Sequence, residues 1–214
     1  MGNWSLYKDG DNINVKNELA RQIIEKLAKE VLTSFYSSDS PIIKRGERTT
    51  KIFEVLTMMG DDEKYKVYSH SLSKEFMDQQ KNEKGYPKFV NREWLYDLLW
   101  YEEDNNEGYC PINFPLVVES EWEKRRRGDK RGDPHSGIKY DFQKLLLSNI
   151  GLRLMIFKIS KEIELNQLSE YFNNAITKYT PLKKGEFLFI AFQDKKESFH
   201  YCYQEKVPCN CNTL

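Results

Sequence analysis

The stretch FPLVVESEWE, residues 114–123, decides the fold. Its apolar run, Leu116-Val117-Val118, reads as a strand and leads straight into Glu119 and Glu121. Glutamate is depleted in strands, and a charge at the end of an apolar strand needs a compensating partner. Alternation along the strand puts Glu119 and Glu121 on one face with Val117, and Val118, Ser120 and Trp122 on the other. Downstream, a polar, basic, glycine-containing loop over 123–137 leads to a helix at 140–150, YDFQKLLLSNI, and then to an apolar strand at 152–160, LRLMIFKIS. A helix between two strands predicts a parallel crossover.

Upstream, REWLYDLLWYEE at 92–103 reads as a strand forming an antiparallel hairpin with 114–123, and YKVYSHSLS at 65–73 as a shorter one. Leu19, Ile23, Leu27 and Val31 recur at helical spacing within 17–36, with Asn17 as the cap. TTKIFEVLTMM, 49–59, is a second helix, capped by Thr49 or Thr50 and stopped by Gly60. Beyond the crossover come a helix at 165–179 and strands at 185–194 and 199–206. The order predicts an α/β chain: a mixed central sheet with helices on both faces. Residues 1–60 form an N-terminal helical extension packed on an α/β domain that spans 61–214.

A chain of 214 residues suits one domain with such an appendage. Its 33 basic residues balance 33 acidic ones, so there is no global field to draw in a polyanion, and any such site must be a local patch. No apolar run approaches the ~18 residues of a membrane helix. The polar start MGNWSLYKDGDN lacks the pattern of a secretory signal, so a cytoplasmic location is expected. Without that signal, Cys110, Cys202, Cys209 and Cys211 do not read as a disulfide framework, and the tail PCNCNTL reads as free thiols. There is no nucleotide-binding glycine-rich loop.

Two carboxylates on one strand face repel unless something positive neutralises them. Mg²⁺ does so well, being hard and usually held by one or two carboxylates with phosphate and water. A third acid, Asp97, sits within LYDLLWY in the strand expected to pair with 114–123, which would bring it beside Glu119. Buried alone, it would cost several kcal/mol. Lys144 follows Asp141 by three residues on the next helix, on the same helix face.

An Asp on one strand, Glu-x-Glu at the end of the next and a helix after it resemble the PD-(D/E)xK nuclease superfamily. The resemblance covers about residues 65–160. It implies a restriction-endonuclease-like core and hydrolysis of phosphodiester bonds in nucleic acid, DNA ahead of RNA, in a restriction or defence setting. It implies Asp97, Glu119 and Glu121 as acids holding Mg²⁺, with Mn²⁺ as substitute. Glu121 stands where the superfamily usually has Lys, and Lys144 would supply that cation from the helix. The basic run 123–133, with Lys124, Arg125, Arg126, Arg127, Lys130 and Arg131, is then the place for DNA phosphates. The resemblance also implies a homodimer. The alternative is a non-catalytic nuclease-like module that binds nucleic acid or a protein partner; the zero net charge favours it, and the three acids favour the enzyme. His135 reads as a surface residue, His70 and His200 as packed or half-exposed strand residues, and Trp94, Trp100 and Trp122 as core or sheet-face residues.

Overall fold

The computed structural model describes residues 3–10, 12–35, 44–92, 94–148, 150–193 and 198–207. In chain order these hold β1 (Ser5–Leu6), α1 (Glu18–Leu27), a π-helical segment (Ala28–Leu32), α2 (Thr33–Phe35), α3 (Arg45–Asp62), β2 (Lys66–Ser69), α4 (Lys74–Gln79), β3 (Val90–Asn91) and β4 (Leu98–Glu103). They continue with β5 (Pro111–Glu121), α5 (Ser136–Leu147), β6 (Leu152–Ile159), α6 (Ile163–Lys178), β7 (Gly185–Gln193) and β8 (Phe199–Lys206). The strands form one mixed sheet in the order β1-β8-β7-β6-β5-β4-β2-β3. β2, β4 and β5 pair antiparallel, β5, β6 and β7 run parallel, and β8 returns antiparallel. The parallel steps between β5, β6 and β7 are the crossovers through α5 and α6, and the short β3 pairs parallel with β2 at the margin.

Helices cover both faces, so the central strands are apolar on both sides, and consecutive residues enter opposite cores. Leu116 and Val118 join a core with Leu98, Trp100 and Ile156 beneath Ile23 and Leu27 of α1 and Phe53 and Leu56 of α3. Val117, between them, joins the other core with Leu99, Met155 and Phe157 beneath Phe142 of α5 and Leu168 and Phe172 of α6. The run Leu116-Val117-Val118 is thus buried throughout.

Asn17 caps α1 as expected, its side chain accepting from the Ala20 N–H at 2.8 Å. The second helix differs from expectation at both ends. It begins after Lys44 rather than at Thr49 or Thr50, and it runs through Gly60 to Asp62. Gly60 does not stop the helix because its work is packing. A Cβ there would lie 2.7 Å from Trp100 Nε1 and 2.8 Å from Val67 Cγ2, so the missing side chain lets α3 settle onto β2 and β4.

β4 and β5 keep a regular register from Leu98↔Val118 to Trp100↔Leu116, which then slips to Glu102↔Asn113 and Glu103↔Pro111. The bulge re-aims side chains: Phe114 packs on the same side as Val117 despite the even spacing that would place it with Leu116. Among the described residues no helix is long and apolar enough to cross a membrane. Cys110 and Cys202 are free thiols. Cys209 and Cys211 lie outside the described residues.

Candidate active site

β5 carries the two glutamates on the α5 side of the sheet, as alternation requires. Glu119 sits opposite Met155 of β6 and is fully buried. One of its oxygens, Oε2, accepts from Lys144 Nζ at 2.9 Å; the other, Oε1, has no hydrogen-bond partner among the described residues. Burial first, and then the charge of Asp97, push its pKa up to about 9 against the opposing pull of Lys144. α5 runs back over β5 from the crossover, and that path delivers Lys144. The Lys144 ammonium spans two acids, standing 3.0 Å from Asp141 Oδ1 as well. Burial works against its charge, but the hydrogen bonds and charges of Glu119 and Asp141 outweigh it and hold its pKa above the ordinary lysine value.

Glu121 turns towards the start of α5 rather than towards Asp97. Its Oε1 accepts from the Glu123 N–H at 2.6 Å, and it shares a hydrogen bond with Asp141. Burial, joined by the charge of Asp141, raises its pKa to about 7. The acids and the lysine therefore form a chain: Asp97, Glu119, Lys144, Asp141, Glu121. Among the described residues no three His, Cys, Asp or Glu side chains converge as a ready-made metal-ligand cluster.

Asp97 is displaced from its expected place. It occupies a bend immediately before β4 rather than the interior of the strand. Its carboxylate takes over the pairing that backbone would otherwise make, with Oδ2 accepting from the Ser120 N–H of β5 at 2.8 Å. It still lies one step beyond the Leu98↔Val118 pair, beside Glu119. A residue that sequence reasoning left out holds the other oxygen. His70 Nε2 is 3.0 Å from Asp97 Oδ1, and the His70 backbone N–H donates to the Asp97 carbonyl at 3.2 Å. His70 Nδ1 in turn lies 2.6 Å from Ser71 Oγ. Only the β2–β4 pairing brings these residues together, so nothing in the local sequence signals the contact.

Arg153 also escaped notice, inside the apolar strand β6. It is 1% exposed, and its guanidinium donates to the carbonyls of Leu145 at 3.1 Å and Ser148 at 2.5 Å. Both lie at the end of α5, where a cation meets the negative end of the helix dipole, and the Leu145 carbonyl accepts from the Ser148 hydroxyl at 2.7 Å as well. Arg153 thus anchors the helix that carries Lys144.

The structure divides the six basic residues of the β5–α5 loop. Lys124 is pinned to Glu164 of α6 at 2.5 Å, and Arg125 donates to the Asp129 carbonyl at 3.0 Å. Arg126, Arg127, Lys130 and Arg131 line an open cleft of about 840 Å³ together with Lys139 and Tyr140, and with Asp129 and Asp133, which pair with Arg131 at 3.4 Å and Lys139 at 2.6 Å. The Arg126 guanidinium lies 3.7 Å from the Tyr140 ring centre. Gly128 and Gly132 shape the turns with φ of +80° and +74°, which other residues rarely adopt. His135, expected at the surface, is 4% exposed, because it sits at the start of α5 with Nε2 3.2 Å from Gln167 of α6. Trp100 and Trp122 are buried as expected, but Trp94 is 47% exposed. Comparison with family models, curated proteins and solved structures finds nothing that matches the chain.

Proposed function

We propose that this protein is a Mg²⁺-dependent nuclease that hydrolyses phosphodiester bonds in nucleic acid, DNA foremost, with a restriction or defence role and action as a homodimer implied by resemblance. The observation that carries the reading is the state of Glu119: a fully buried carboxylate with Lys144 on one oxygen and nothing on the other, next to Asp97. A buried acceptor left unpaired costs about 1–3 kcal/mol. A hard cation at the open oxygen would remove that cost, and carboxylate donors suit Mg²⁺ and Mn²⁺. The order α3-β2-β4-β5-α5-β6, interrupted by the short α4 and β3 between β2 and β4, with the acids before β4 and at the end of β5 and a lysine on α5, supports the likeness to the PD-(D/E)xK superfamily.

Asp97 and Glu119 would hold the ion, which when bound would polarise a phosphate oxygen and acidify a water towards neutral pH. Lys144 stands beside Glu119 to offset charge that develops on the phosphate. Glu121 has a carboxyl poised near pH 7 and a hydrogen bond to Asp141, the properties of a general base that passes a proton along. The basic cleft gives the flanking phosphates their counter-charge. One observation favours a second reading, a nuclease-like module that binds without cutting. Glu121 pairs with Asp141, and among the described residues no third ligand closes on the Asp97–Glu119 pair.

The test is to incubate supercoiled plasmid and single-stranded circular DNA with Mg²⁺ or Mn²⁺ and wild type, Asp97→Ala or Glu119→Ala protein of matched fold. Metal-dependent cutting lost in both variants supports the enzyme. A wild type that neither cuts nor binds metal by calorimetry overturns it.

A further inference from the structure

On the sheet face that carries Glu119, α5 packs over β5 and β6. Over β2 and β4 that face carries a run of aromatic rings instead. Tyr101 stacks on Tyr68 with ring centres 5.3 Å apart and planes 13° from parallel. Tyr68 stacks on Trp94 at 6.0 Å and 22°, and Trp94 on Phe114 at 5.8 Å and 16°. The four rings border a cavity of about 220 Å³ that opens beside Tyr109, itself 94% exposed. Trp94 is 47% exposed and the adjoining Leu95 62%. Tyr68, Tyr101 and Phe114 are half-buried, and with exposed Trp94 and Tyr109 they leave an aromatic surface that α5 does not cover, the kind of patch that marks an interaction site. Near-parallel planes suit the insertion or end-stacking of another flat ring. A cage for an alkylammonium needs walls at steep angles, which these rings do not make.

What the ring comes from follows from the layout along β5. Phe114 lies near its beginning, Glu119 and Glu121 at its end, and the basic loop directly after it. At about 3.3 Å per residue, the acids lie roughly 17 Å from the rings along the strand. The face thus offers aromatic rings, then clustered acids, then a cleft lined by Arg126, Arg127, Lys130 and Arg131. A strand of nucleic acid whose bases are unpaired has both of the matching parts, flat bases and a phosphate chain. The β4–β5 bulge contributes directly, since it turns Phe114 onto this face.

We propose that the Tyr101–Tyr68–Trp94–Phe114 rings bind unpaired nucleobases of a strand running past Asp97 and Lys144 to the basic cleft, so that the chain selects single-stranded nucleic acid or unpaired ends. That selection concerns cleavage only if the nuclease reading holds, whereas the binding itself does not depend on it.

Binding is measured without metal, in EDTA, by anisotropy of fluorescein-labelled oligothymidylate, oligouridylate and the duplex of oligothymidylate with oligoadenylate. Wild type, Trp94→Ala and Trp94→Phe are compared after circular dichroism shows equal folding. Loss of one base-stacking ring weakens single-strand affinity about 5- to 100-fold. The expected result is such a loss for Trp94→Ala on the single strands, restoration by Trp94→Phe, and little change on the duplex. Equal loss on duplex and single strand, no change, or no binding of any single strand overturns the proposal. The two readings separate cleanly. A wild type that binds oligothymidylate through Trp94 but neither cuts with Mg²⁺ or Mn²⁺ nor binds metal keeps this site and sinks the nuclease. A wild type that cuts through Asp97 and Glu119 while Trp94→Ala binds normally does the reverse.

Discussion

Lys144 Nζ stands 2.9 Å from Glu119 Oε2 across the gap between α5 and β5, and it satisfies only half of a carboxylate that has no exposure to water. The folded protein therefore holds Glu119 at a cost that function must explain. An unfolded glutamate titrates near pH 4.3, roughly, whereas burial and Asp97 push Glu119 up to about 9. The folded chain thus binds this proton more tightly than the unfolded chain. The resulting stability is fully present below the unfolded value and is lost as pH rises through the folded one. In EDTA, Tm is expected to fall between pH 5 and 9, and Glu119→Gln is expected to flatten that fall and to raise Tm at the alkaline end by several degrees, at about 2–4 °C per kcal/mol. Thermal melts of the two proteins across pH check this. Parallel profiles would refute it.

Lys144 makes two ion pairs, but its role in the proposed chemistry is to face a phosphate. Lys144→Ala is expected to lower single-turnover cleavage about 100- to 1,000-fold, the effect of removing one group that stabilises transition-state charge. The alanine variant also strips the second oxygen of fully buried Glu119 of its donor and should lose about 1–3 kcal/mol of stability, so the rates are compared at matched folded concentration. Lys144→Arg keeps the charge, yet its planar fork fits the gap poorly and should recover only part of the rate. Equal rates for the alanine variant and wild type would remove Lys144 from the site.

His70 touches Asp97 from β2 and fixes the carboxylate that is proposed to hold the ion. Partners of this kind typically contribute about 10- to 100-fold in metal affinity. His70→Ala should raise the Mg²⁺ concentration for half-maximal cleavage by that factor while leaving the rate at saturating Mg²⁺ nearly intact. A drop in the saturated rate with no change in Mg²⁺ dependence would show that His70 acts on the chemistry instead.

Arg153 ties the end of α5 to β6. Arg153→Leu fills much of the space but leaves the Ser148 carbonyl buried without a donor and the Leu145 carbonyl with Ser148 alone, and should cost about 1–3 kcal/mol in chemical denaturation. Arg153→Lys cannot reach both carbonyls at once and should recover little. Stability unchanged in Arg153→Leu would mean that another group caps the helix.

What the sequence could say about this fold was governed by distance along the chain. Leu116-Val117-Val118 announces a strand buried on both sides because its neighbours are local and period-two alternation is a local property. The crossover through α5 was legible for the same reason, and so was the Asp141–Lys144 pair. Asp97 was read as a strand residue because its neighbours Leu95, Tyr96, Leu98 and Leu99 are apolar. It is in a bend because its side chain, rather than its backbone, meets Ser120. His70 and Arg153 gain their roles from pairings between β2 and β4 and between α5 and β6, and neither has a sequence neighbour that marks it. The exposure of Trp94 was hidden by composition, since a tryptophan in an apolar run ordinarily packs inward. β1, only Ser5–Leu6, joins the sheet through β8, near the far end of the chain.

The outermost strands, β1 and β3, are two residues each. β1 pairs with only His200 and Tyr201 of the eight-residue β8, so among the described residues 202–206 have no strand on their outer side. An arriving strand finds its template there rather than at β1 or β3 themselves. Two copies that shared a sheet would meet along that stretch, and charged or proline substitutions within it would part them.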